Sequence, residues 1–154
     1  MKILIPILLG ISLLCCTNNK TSFDQKVILD SDNWSYEDHV NFLVSEVDTS
    51  QLFELQLILE HTMDYSFENI YLKVFTEFPD LSKRGERLSV DLAHKTGEWK
   101  GKCNSESCKL RVYLLEKFKF PQPGSYQFSF EQHSRQDSLP GILSLQMKLI
   151  QLDE

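Results

Sequence analysis

The residues best suited to chemistry in this 154-residue chain are its four cysteines, which fall into two pairs. Cys15 and Cys16 are adjacent and close an apolar run that begins at Ile3. Cys103 and Cys108 stand four residues apart in "KGKCNSESCKL". A thiol at the end of a short apolar leader can take an acyl group. Two thiols around a short polar loop can bridge its base in an oxidising compartment, or stay free. Zinc would need more ligands nearby than this stretch offers, and thioredoxin-like redox chemistry needs the tighter C-x-x-C spacing. The histidines, His39, His61, His94 and His133, are scattered outside any metal-binding pattern. There is no glycine-rich phosphate loop and no G-x-S-x-G elbow. Glu54 and Glu60 lie on an alternating polar face that a solvated sheet explains. No catalytic residue, metal or cofactor is expected.

The leader reads as an address. Lys2 is its only charge, and Ile3 to Leu14 is apolar apart from Ser12, with Pro6 and Gly10 interrupting it. A membrane-spanning helix needs roughly 20 apolar residues, and this run is far shorter. A positive start, a short apolar core and small residues at its end mark a secretory signal. Leu13-Leu14-Cys15-Cys16 resembles the lipobox of bacterial lipoproteins, which sets Leu at −3, a small residue at −1 and Cys at +1. Cys16 fits the +1 place; were Cys15 there, the bulky Leu14 would fill the −1 site. Cys16 would then carry a thioether-linked diacylglyceryl group. A buried methylene contributes about 0.8 kcal/mol, and two or three chains anchor firmly where one does not. The expected organisation is a signal peptide at 1–15, a lipidated polar tether at 16–24 and one domain at 25–154. The absence of Asp after Cys16 favours the outer membrane, facing the periplasm.

Removal of residues 1–15 leaves 139 residues, enough for one domain with its own core. The net charge of −6 becomes −7 with the loss of Lys2. An acidic body without a basic stripe argues against nucleic acid and against lying flat on anionic lipid. No small-molecule substrate is expected.

The body is patterned with period two. Phe53, Leu55, Leu57 and Leu59 alternate with polar neighbours. So do Ile70, Leu72 and Val74; Leu88, Val90 and Leu92; Leu110, Val112 and Leu114; Tyr126, Phe128 and Phe130; and Leu143, Leu145, Met147 and Leu149. Turn-forming stretches separate them, including "FPDLSKRGE", "FPQPGS" and "QDSLPG". This predicts an all-β protein, a single antiparallel β-sandwich of jelly-roll or immunoglobulin-like type. Residues 35–47 fit both periods; β-branched content and the turn at Asp48-Thr49 favour a strand.

Three loop-flanked stretches are more specific than a core requires. "DYSFENIYLKV" sets Tyr65 and Phe67 before Asn69. "GEWKGK" sets Trp99 between glycines. "GSYQFSFEQHSRQDSLPGI" sets Gln132 and Arg135 beyond an aromatic strand. Trp99 could be a core lid and Arg135 a loop salt bridge. As a group, Tyr65, Asn69, Trp99, Gln132 and Arg135 are the candidate partner-binding residues, since Trp and Arg are frequent interface anchors.

These stretches resemble the gliding motility lipoprotein GldH family of Bacteroidota over most of the mature chain. Trp34 and Phe42 match its Trp-then-Phe region, and "YSFENIYL" its Tyr-x-aromatic-x-Asn segment. "GEWKG" matches a Gly-x-Trp-x-Gly segment, and "GSYQFSFEQHSRQDSLPGI" a stretch ending in Leu-Pro-Gly-Ile. "QHSR" matches only at its ends, "YSF" lacks a common Pro, and the Cys103/Cys108 pair is not part of the pattern. The resemblance implies an outer-membrane lipoprotein needed for gliding, tied to type IX secretion. It would work by contact with envelope proteins, not by catalysis. A glycan-binding sandwich, stacking sugars on Trp99 or Tyr65, is the alternative.

Overall fold

A computed structural model describes residues 19–30 and 33–153. Cys16 and the signal segment lie outside the described residues. Within them the chain forms eleven strands: β1 (Lys20–Ile28), β2 (Asn33–Ser35), β3 (Val40–Val47), β4 (Leu52–Thr62), β5 (Asn69–Glu77), β6 (Lys83–Asp91), β7 (Lys102–Cys103), β8 (Ser107–Phe118), β9 (Gly124–Gln132), β10 (Ser138–Pro140) and β11 (Ile142–Leu152). Every pairing between them is antiparallel.

The strand order separates the two architectures the sequence left open. One sheet runs β1-β11-β4-β8-β7 and the other β3-β9-β5-β6, with a small β10-β2 ribbon at one end. Leaving aside the three short strands, the first long strand pairs with the eighth, the second with the seventh, the third with the sixth and the fourth with the fifth. That nested pairing is the jelly roll, a hairpin of hairpins folded over into two sheets. An immunoglobulin sandwich distributes its strands differently.

The alternation seen in the sequence becomes the inner face of each sheet. Leu55, Leu57 and Leu59 of β4 and Leu145, Met147 and Leu149 of β11 are buried on one side. Phe42, Ile70, Leu72, Phe128 and Phe130 are buried on the other. Phe42 meets Phe130 edge-on at 5.8 Å. Each such side chain contributes about 1.5–3 kcal/mol by leaving water. Residues 35–47 resolve into the end of β2, a turn and strand β3.

The sheet starts earlier than expected. Lys20 pairs with Gln151 and Asp24 with Lys148, so Lys20–Asp24, given to the tether by the sequence, belong to β1. The reason is that β1 is an edge strand with weak patterning. Only Phe23 and Val27 pack against the core, and the remaining residues face water. The β2-β10 ribbon was also unforeseen. It pairs Trp34 with Leu139, both fully buried, so the Leu-Pro-Gly stretch read as a turn is half strand. Cys103 of β7 and Cys108 of β8 are cross-strand partners and form a disulfide with Cα atoms 4.0 Å apart.

Candidate partner-binding surface

The strand registers give the sandwich two distinct ends. One carries the described N-terminus and the turns at 48–51, 78–82 and 119–123. The other carries the long loops at 63–68, 92–101 and 133–137. All five candidate residues lie at this second end, but in different layers.

Asn69 and Arg135 reach the surface and line one concavity of about 430 Å³. Phe67, Tyr71, His133 and Gln136 line it with them. Phe67 is 38% exposed and Tyr71 48% exposed. Asn69 opens β5, and Tyr71 sits on the outward register because Ile70 and Leu72 take the inward one. Arg135 is exposed and has no ion-pair partner among the described residues. The surface thus offers two aromatic faces, an amide and a cation.

Gln132 does not reach the surface; it builds it. At the end of β9 it is 1% exposed. Its Nε2 donates to the carbonyls of Gln136 at 2.9 Å and Asp137 at 3.4 Å, and its Oε1 accepts from the Ser134 amide at 2.9 Å. One buried amide therefore closes the 133–137 loop from both sides. The Tyr36 hydroxyl donates to the Ser134 carbonyl, and the Tyr36 amide to that of Asp137 at 3.0 Å. The His133 amide donates to the Tyr71 carbonyl at 2.7 Å, extending the β5–β9 ladder to the rim.

Tyr65 is likewise internal. It is buried between His61, at 5.6 Å between ring centroids, and Phe67, at 5.7 Å. Burial pushes its phenol up to about 12. Trp99 is half-buried, meets the His61 ring edge-on at 4.6 Å and donates Nε1–H to the Met63 carbonyl at 3.1 Å. An isolated bridge to Ala93 and the Lys100 amide bonded to the Leu92 carbonyl hold its loop down. Tyr65 is thus part of the cover of the core beneath the loops, and Trp99 lies half-buried over it. His61 is fully buried in this cluster, its Nδ1 2.8 Å from the Thr62 carbonyl. Burial lowers its pKa, which keeps the ring neutral. His61 Nε2, Thr62 Oγ1 and Tyr65 Oη have no hydrogen-bond partner among the described residues.

Two glycines explain the motif spacing. Gly141 has φ +92°, and a Cβ there would stand 2.7 Å from Thr62 Oγ1. Gly101 has φ +94°, and a Cβ there would stand 2.3 Å from the Lys109 carbonyl oxygen. Both positions demand glycine for conformation and for space.

Tyr71 and His133 line this concavity but were not among the candidate residues. For Tyr71 the signal was present: a large aromatic on the solvent-facing register of a strand. For His133 there was none. No group of three or more metal-ligating side chains converges among the described residues.

The fold is a jelly-roll module whose loop end exposes rings, an amide and a cation around one concavity. The chain belongs to the GldH lipoprotein family, whose family model matches residues 21–149. It is 25% identical over 131 residues to the gliding motility lipoprotein GldH homolog of Christiangramia forsetii, covering 82% of this chain and 81% of that protein. It is 26% identical over 141 residues to the gliding motility lipoprotein GldH of Flavobacterium johnsoniae, covering 91% and 87%.

Proposed function

We propose that this protein is a lipid-anchored component of the outer membrane, facing the periplasm, that serves gliding motility by binding other envelope proteins. Residues 1–15 act as its signal, and Cys16 carries the lipid. The partner belongs to the gliding and type IX secretion machinery, and the protein assembles or stabilises it without catalysis. One observation carries the reading. Asn69 and Arg135, distant in sequence, meet beside exposed Phe67 and Tyr71 at the end opposite Lys20. Strand β4, with 11 residues at about 3.3 Å each, spans roughly 36 Å between the two ends. A tether at one end and a recognition surface at the other suit a protein that holds a partner off the membrane.

The test is site-directed photo-crosslinking in the native envelope. A crosslinker at Tyr71 is expected to capture a component of the gliding or secretion apparatus, while one at Arg111, exposed on β8 of the other sheet, captures none. Deletion is expected to abolish spreading on agar. A deletion strain that spreads like the wild type would refute the proposal.

A further inference from the structure

At the end where the chain enters, the two sheets part. Between edge strand β6 and the part of β8 beyond its two-residue pairing with β7 lies a cleft of about 270 Å³. Its walls are apolar, with Leu55, Val74, Leu88, Leu114, Phe118 and Phe128 among them. Irregular pairing opens it. β8 shifts register against β4 between Phe53 and Leu55 and again between Leu55 and Gln56. Lys117 of β8 adopts φ 49°, in the left-handed region. Such bulges bend a strand and increase its twist.

Charged groups also line this cleft. Arg84 and Glu86 take the register of β6 that Leu88 and Val90 use to face the core, and they pair with each other at 2.7 Å. Arg87 lines the cleft too and has no ion-pair partner among the described residues.

A partner's strand is poorly suited to this opening. Inward-pointing charges on β6 and bulges on β8 are the devices by which sheet edges resist strand addition. A ligand that needs no backbone hydrogen bonds suits it better. An apolar lining with a few polar groups at one side is the pattern of a small-molecule site, and a volume just below the usual range of roughly 300–1,000 Å³ suits a segment of a slender occupant whose remainder stays outside.

The position says where that occupant comes from. Lys20, Gln151, Phe53 and Phe118 form one row across the sheet. Three interstrand steps of about 4.8 Å place the chain's entry roughly 14 Å from Phe118 at the cleft. Only three residues separate Lys20 from Cys16. With Cys16 as the anchor, the cleft sits beside the bilayer; this step rests on the anchoring reading above.

We infer that the cleft takes one acyl chain with an anionic head from that bilayer, its tail between the sheets and its head beside Arg87. The test uses the mature chain with Cys16→Ser, which keeps every described residue and needs no detergent. Titration with cis-parinaric acid, a fluorescent fatty acid, is expected to show saturable one-to-one binding. Leu88→Trp and Leu114→Trp each put an indole into the cleft and are expected to weaken binding at least tenfold at unchanged circular dichroism. Arg87→Glu is expected to weaken the acid threefold or more and leave the matching fatty alcohol unaffected. Absence of saturable binding overturns the inference, as does wild-type affinity in whichever tryptophan variants fold. Membrane fractionation of Cys16→Ser tests the anchor separately, so the two readings fail independently.

Discussion

Lys26 Nζ lies 2.7 Å from Glu60 Oε2, reaching from β1 to β4 across the intervening β11. Ser144 of β11 donates to the same oxygen at 2.9 Å. Ser107 of β8 donates to Oε1 at 3.1 Å, and Lys109 stands 3.5 Å away. One carboxylate thus ties four neighbouring strands together on the outer face of the larger sheet. Burial opposes its charge, but Lys26 and the two hydroxyls outweigh burial and hold the carboxyl down from 4.5 to about 2.

A folded value below the unfolded one stabilises the protein above pH 4.5, and that contribution disappears as pH falls towards 2. Glu60→Gln is expected to cost about 1–2 kcal/mol at pH 7, less than full linkage because Lys26 is solvent-exposed. Urea unfolding between pH 2.5 and 7 checks it. The variant's stability should fall less steeply than the wild type's across the acid limb.

His61 gives a second, higher pH step. Its pKa is lowered by burial from 6.5, so its contribution is present above 6.5 and lost as pH falls through the depressed folded value. Protonation would charge a ring buried under Trp99 and Tyr65. His61→Phe is expected to remove the stability change in the window below pH 6.5 while leaving the Glu60 step in place. Tryptophan fluorescence reports it directly, because Trp99 covers His61.

The sandwich was legible because its long strands alternate strictly, and alternation follows from having one wet face and one dry one. What escaped the sequence was whatever lacks that contrast. β1 is wet on both sides except at Phe23 and Val27, so it looked like tether. The first half of β6 carries Lys83, Arg84, Glu86 and Arg87 where the sheets part, so it looked like turn. At the candidate surface, spacing in the sequence carried no information about depth. Asn69 and Arg135 reach the surface, but Tyr65 and Gln132 lie beneath it, because Tyr65 fills the core cover and Gln132 holds the 133–137 loop closed.

Tyr65 separates packing from binding. Its ring fills core space, while its hydroxyl is buried without a hydrogen-bond partner among the described residues. Tyr65→Phe is therefore expected to leave the melting temperature unchanged or raised, since it removes an unpaired polar atom. Tyr65→Ala is expected to cost about 3–5 kcal/mol, as for other large aromatic truncations. Thermal melts of the two variants check this, and a loss on Tyr65→Phe would mean that the hydroxyl has a partner.

Gly141 tests the Leu-Pro-Gly turn. Alanine there meets both a left-handed backbone and a 2.7 Å approach to Thr62 Oγ1. Gly141→Ala is expected to cost about 2–3 kcal/mol. Hydrogen exchange should show the loss concentrated at Thr62, whose amide bonds the Gly141 carbonyl at 2.8 Å, and along the β2–β10 ribbon.

Surface and support should fail differently in the cell. Arg135→Glu and Tyr71→Ala alter exposed side chains, so each is expected to stay within about 0.5 kcal/mol of the wild-type stability. If this surface holds the partner, each nonetheless lowers crosslinking yield and slows spreading severalfold, and together they abolish both. Gln132→Ala strands the Ser134 amide and the Gln136 and Asp137 carbonyls. It is expected to lose function together with about 1–3 kcal/mol of stability. Measuring spreading and melting on the same three variants distinguishes the cases. Function lost only where stability is lost would locate the partner elsewhere on the protein. Function lost in Arg135→Glu with an intact melt would place Arg135 in the contact itself.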